Sequence, residues 1–166
     1  MAYVNYDYYK SLYGDKSIPE TDFNRILWDA EREINKATSG IDNVQKLKVA
    51  FPVKEDDAEA IKRCVCSLVE FLKQIEDAER NANSVGQLAE RADGSLQGKV
   101  VSSVSAGNES ISYAINKSSD TAISTAIKSV KDRDLVIYEF ITSRLRGIAD
   151  ANGINLLYNG PYMYSC

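Results

Sequence analysis

Six apolar residues, Ala58, Ile61, Val65, Leu68, Leu72 and Ile75, recur at steps of three and four along FPVKEDDAEAIKRCVCSLVEFLKQIEDAERNAN. At 3.6 residues per turn this spacing lines them along one face. The stretch therefore predicts a long amphipathic helix that must lay its stripe against another element. Glu55, Asp56 and Asp57 open it, where the positive end of the helix dipole favours carboxylates. Asn81, Asn83, Ser84 and Gly86 form the cluster that ends it. Cys64 and Cys66 lie two apart on this helix and point in largely different directions. One is expected at the core and the other on its flank, both as packing residues rather than redox or metal groups.

Other segments carry the same period. NYDYYKSLYG predicts a short helix capped by Asn5 and stopped by Gly14. In SIPETDFNRILWDAEREINKATSG, Pro19 stands near a helix start and Gly40 past its end. Phe23, Leu27, Ala30, Ile34 and Ala37 share a face there, with Trp28 beside it. SSDTAISTAIKSVKDRDLVIYEFITSRLRG returns to helix, with Asp120 able to cap it and Gly147 to end it. Ile123, Ile127 and Val130 form one stripe of it, and Leu135, Tyr138, Ile141, Leu145 and Ile148 another, with a break or bend expected at KDRD.

Two stretches do not suit a plain bundle. GKVVSSVSAGNESISYA alternates serine with apolar residues around Ala106-Gly107-Asn108, which predicts a β-hairpin over about residues 98–115. A lone hairpin is marginal in water and needs the helices or another chain. The segment from about 148 to 166 carries Leu156, Leu157, Tyr158, Tyr162, Met163 and Tyr164, too apolar for an idle tail. With no linker or repeat in view, the expected fold is one mainly α domain over residues 1–166. It is a small bundle of four to five helices with one β-hairpin insertion and an extended C-terminal tail.

Composition narrows the chemistry. The 166 residues carry a formal net charge of -4, which argues against a protein that grips phosphates. There is no histidine, so the commonest general base and metal ligand is missing and a Ser–His mechanism is excluded. A serine–lysine pair with Lys99 or Lys117 is the nucleophilic arrangement left open. Asp56 with Asp57, and Asp132 with Asp134, read as helix-start capping rather than a catalytic dyad. GDKS and GK fall short of a phosphate loop. Three cysteines, Cys64, Cys66 and Cys166, make neither a disulfide framework nor a zinc spacing, which points to a reducing, cytosolic setting. No signal peptide or membrane-spanning run is read, and the two glycosylation sequons, at Asn108 and Asn116, are attributed to chance. No enzyme, cofactor or metal is expected. The Tyr-rich start reads as a helix packed on the bundle rather than a base-stacking surface. Arg144 and Arg146 sit at a helix C-terminus, suited to the dipole or to an acidic partner.

The order of these parts resembles the head–tail connector proteins of long-tailed bacteriophages, also called adaptor or head-completion proteins. MAYVNYDYYKSLYGDKSIPETDFNRILWDAEREINKAT is similar to the family's opening, and DDAEAIKRCVCSLVEFL to its second long helix. GKVVSSVSAGNESISYA is similar to its strand-forming insert and LLYNGPY to its closing Leu-Leu-Tyr-x-Gly. The resemblance covers nearly the whole chain, and the ordered set carries it rather than any single motif. RDLVIYEFITSRLRGIADANGIN and the final MYSC depart from the pattern. The resemblance implies a non-enzymatic ring subunit, typically one of twelve copies. It would sit in the virion neck beneath the portal protein, extend the channel for double-stranded DNA without sequence-specific binding, and present a surface to a stopper or other neck protein. Assembly would take place in the host cytoplasm, with no membrane involved. On this reading Leu156, Leu157, Tyr158, Tyr162, Met163, Tyr164, Arg144 and Arg146 are expected to bind the portal. Lys99, Val101, Ser103, Ser105, Asn108, Ser110, Ser112 and Tyr113 are expected at a subunit contact or the channel. A stopper, a tail-completion subunit and a non-viral helical interaction module are the alternatives.

Overall fold

The computed structural model describes residues 2–14, 18–85, 88–90, 96–98, 103–106, 109–112, 122–127 and 129–162. Helix dominates, as the periodicity predicts. Helix α1 spans Tyr6–Tyr13, α2 Glu20–Thr38, α3 Lys46–Val49, α4 Glu55–Val85, α5 Ala122–Ala126 and α6 Val130–Leu145. The start of α1 is the cap expected: the Asn5 side chain accepts from the Tyr8 N–H at 2.9 Å. Gly14 leaves the helix at φ 55°, a conformation open to glycine and strained for most residues. At the start of α2 the carbonyl of Pro19 accepts from the Phe23 N–H at 2.9 Å.

The chain divides into two compact units. One is formed by Met1–Lys73 with Asp134–Cys166, and the other by Gln74–Arg133, which interrupts the first in sequence. In the first, Phe23, Ile26, Leu27, Ala30 and Ile34 of α2 are buried, together with Ile61, Val65, Leu68 and Val69 of α4 and Ile137, Ile141 and Leu145 of α6. Tyr9 enters from α1, its ring 4.6 Å from that of Phe23, and Phe71 of α4 stacks on Phe140 of α6 at 4.7 Å.

In the second unit four short strands form two antiparallel ladders. β1 (Leu88–Glu90) pairs with β2 (Leu96–Gly98), and β3 (Ser103–Ala106) with β4 (Glu109–Ser112). Gly107 and Asn108, the expected turn, lie outside the described residues, as do Lys99, Val101 and Tyr113. The described residues thus give two paired strands at this place, and the rest of the expected hairpin lies outside them.

Three expectations are corrected. Cys64 and Cys66 are both buried rather than divided between core and flank. The reason is that α4 is covered on two sides: the Tyr8 hydroxyl donates to Glu59 at 2.7 Å on one, and Phe71 meets Phe140 on the other. KDRD is not a break. Helix α5 ends at Ala126 and α6 begins at Val130, where Ser129 caps it, its hydroxyl accepting from the Asp132 N–H at 3.1 Å. Leu135 and Tyr138, placed in the core stripe by spacing, are exposed, while Ile137 takes the inward position. The proposed cap Asp120 lies outside the described residues.

Candidate interaction surfaces

The C-terminal segment is tied to its own chain. Leu145 ends α6, Gly147 turns the backbone at φ 83°, and Ala149 bridges to Asn155. Leu156 and Tyr162 are then buried, so these two expected portal anchors are core residues of the free chain. Leu157 is half-buried and Tyr158 exposed. Met163 and Tyr164 lie outside the described residues. Arg144 and Arg146 are exposed at the end of α6, with the Arg144 guanidinium 3.5 Å from the Phe140 ring centroid.

Lys46 organises this region. Its ammonium is buried and donates to the carbonyl of Leu156 at 3.1 Å and to that of Tyr158. Burial pushes its pKa below the ordinary lysine value, and the carboxylates of Asp150 and Asp42 partly offset that. Asp42 accepts from the Tyr162 N–H at 2.8 Å, which holds its carboxyl below the usual range. Asp150, also buried, accepts from the Tyr162 hydroxyl and from the N–H groups of Asn152 and Ile154, each at 2.9 Å. Gly40 completes the contact, because a Cβ there would lie 2.7 Å from the Gly160 carbonyl oxygen. Sequence reasoning missed Lys46, Asp42 and Asp150. No local pattern marks a lysine whose acceptors lie 110 and 112 positions away.

The serines of the insert meet in pairs along the β3–β4 ladder. Ser103 opposes Ser112, and Ser105 opposes Ser110. Lys99, Val101, Asn108 and Tyr113 are not among the described residues.

Several concave surfaces share Ala2, two of them lined also by Lys48. One, of about 680 Å³, is lined by Trp28, Glu31, Arg32, Lys36 and Lys48 among others. Trp28 is 65% exposed there, with Arg32 stacked 5.0 Å from its ring. The other, of about 510 Å³, is lined by Ala2, Tyr3, Leu47, Lys48, Phe51 and Lys62. Its floor is aromatic, with the Tyr3 and Phe51 rings stacked at 5.7 Å.

Burial pushes the Cys64 and Cys66 thiols up to about 12, which keeps them from forming the reactive thiolate. The tyrosines of α1 spend their hydroxyls on internal bonds, Tyr8 on Glu59, Tyr9 on Glu70 and Tyr6 on the carbonyl of Ile18. Among the described residues no group of three or more Cys, Asp or Glu side chains is placed to hold a metal ion. No helix there is long and apolar enough to cross a membrane. No family model, curated protein or solved structure matches this chain.

Proposed function

We propose that this chain is a structural ring subunit of a phage neck, docking under the portal and extending the DNA channel. The observation that carries the reading toward an assembly component is the surface of α6. Val136, Ile137, Phe140, Ile141 and Leu145, with Leu135 and Tyr138, make the helix apolar around most of its circumference. A helix apolar nearly all round is normally buried nearly all round. Its own chain covers Ile137, Ile141 and Leu145, yet leaves Leu135 54% and Tyr138 51% exposed. Such a flank calls for a further protein surface. The ordered resemblance of opening, long helix, insert and closing motif supports the particular assembly, with the portal and a stopper or other neck protein as partners. A net charge of -4 per chain suits a conduit that lets double-stranded DNA pass without sequence-specific binding.

Within that reading, residues 98–115 form an inserted hairpin whose partner is the neighbouring copy or the channel. The antiparallel pairing of Ser103–Ala106 with Glu109–Ser112 supports this. A two-stranded ladder leaves outer backbone groups for strand addition. Portal contact is carried by the exposed Tyr158, by Met163 and Tyr164, and by Arg144 and Arg146, rather than by the buried Leu156 and Tyr162.

The test is electron cryo-microscopy of this chain co-expressed with the portal protein encoded beside it. Ring density beneath the portal is expected. A bare portal beside unbound chains would overturn the neck assignment. Deleting Lys99 to Tyr113 should weaken the ring, and rings of unchanged stability would remove the role given to the insert.

A further inference from the structure

The exposed flank of α6 and the Tyr3–Phe51 groove complement each other in shape and charge. The groove is concave and aromatic, and its volume of about 510 Å³ lies in the range that holds a whole small ligand. One aromatic and one aliphatic side chain can therefore enter together. Lys48 and Lys62 line it, each with one carboxylate of its own chain near enough to act on it, Glu31 on Lys48 and Glu59 on Lys62, and Lys62 lies 5.8 Å from the Tyr8 ring. Val53, two positions after Phe51, is exposed and extends the apolar rim.

The flank of α6 is convex and apolar. Leu135 and Tyr138 are three apart, so they sit side by side, with Glu139 one turn after Leu135. On this flank Asp134 and Glu139 outnumber Lys131. Asp134 reaches Lys36 of its own chain at 3.8 Å, an exposed contact that leaves Glu139 as the freer charge. An amphipathic helix seats its apolar anchors in a hydrophobic groove, and charges around the seat set partner and register.

We infer that the groove of one copy receives the Leu135–Tyr138 flank of a second copy, with Glu139 set against Lys48 or Lys62. The inference rests on the assembly reading above and names the surfaces by which copies meet. Because the two patches differ, the contact is head-to-tail, and a pair of copies keeps one free groove on one member and one free flank on the other. That is the arrangement that closes into a ring when the rotation allows.

The experiment uses full-length chain and two surface variants, one carrying Lys48→Glu and Lys62→Glu, the other Leu135→Lys and Tyr138→Lys. Circular dichroism and thermal melting check that both remain folded. Sedimentation and native mass spectrometry then read assembly across a range of protein concentrations. Wild type is expected to self-associate, and each variant alone to do so about thirtyfold more weakly or less, the scale of losing central anchor residues. An equal mixture of the two variants keeps one good groove and one good flank. It should form one-to-one heterodimers and nothing larger. Wild type that stays monomeric at every concentration overturns the inference. So do variants that assemble like wild type, or a mixture that gives no heterodimer. A ring beneath the portal that survives both variants would sink this interface and leave the neck assignment standing. Head-to-tail assembly without portal binding would do the reverse.

Discussion

The buried ammonium of Lys46 donates to the carbonyl oxygen of Leu156 across 3.1 Å, joining positions separated by 110 residues. Few contacts in this chain reach so far in sequence, and the position of the C-terminal segment depends on it.

Lys46→Met keeps the bulk of the side chain and removes the donor. The buried Leu156 carbonyl then lacks this partner, at a cost of about 1–3 kcal/mol. Urea unfolding should show that loss at neutral pH. Its pH dependence has a definite sign. Because burial lowers the Lys46 pKa, the unfolded chain holds more protons between the folded pKa and 10.5, so wild-type stability from this group rises with pH there. The gap between wild type and variant should widen as pH climbs toward 10.5. A constant gap would show that burial of the charge carries no penalty.

Gly40→Ala places a methyl group against backbone rather than a flexible side chain, 2.7 Å from the Gly160 oxygen. The C-terminal segment must move to admit it, at about 1–3 kcal/mol. Hydrogen exchange should speed up over residues 156–162 while α1 and the start of α2 stay protected.

Tyr9→Phe removes the hydroxyl that donates to Glu70 and accepts from the Ile18 N–H. A loss of about 1–3 kcal/mol is expected. Burial and Glu70 raise the Tyr9 pKa above 10, so its contribution is complete below that value and falls away as pH rises beyond it. Cys64 and Cys66 act in the same direction from about 9, and Tyr8 from 10. Alkaline unfolding of wild type should therefore begin above pH 9. The Phe variant, already less stable, should lose less further stability over the same range.

Alkylation with iodoacetamide at neutral pH should spare Cys64 and Cys66 in the native protein and label both after denaturation. Both thiols are buried, with their pKa values held at about 12. Peptide mass mapping distinguishes the two. Rapid native labelling of either would contradict the packing around α4.

Truncation after Asn155 does more than delete a binding tail. It removes Leu156 and Tyr162 from the core and both acceptors of Lys46. The truncated chain should melt well below wild type, since emptying a buried leucine site alone costs about 2–5 kcal/mol. Tyr158→Ala, at an exposed position, is the cleaner probe of portal affinity: folding should be nearly unchanged and portal binding weakened.

Local signals carried much of this fold. The Asn5 cap, the Gly14 stop, the acidic first turn of α4 and most of the α2 and α4 stripes could be read because each depends on residues a few positions apart. Reading failed where burial depends on more than one neighbour. Apolar residues surround most of α6, so spacing alone could not choose Ile137 over Tyr138 as an inward position. One of Cys64 and Cys66 was expected on a flank, but α1 covers one side of α4 and both are buried. The apolar content of residues 156–162 was read as a tail for a partner, whereas Leu156 and Tyr162 are buried within their own chain. The groove now proposed as a seat could not be read, because Tyr3, Leu47, Phe51 and Lys62 come from separate parts of the chain that meet only on folding.

The interruption of the first compact unit by Gln74–Arg133 has a consequence for synthesis. A ribosome releases the chain from its N-terminus, so Lys46 emerges long before Leu156 and Tyr158 exist. Until they do, its ammonium stays in water and the core around Leu47 stays open on one side. The nascent chain can form its local helices early, but it completes this unit only after residues 134–162 have emerged. Products that stop short of Leu156 would then expose apolar surface to chaperones and proteases.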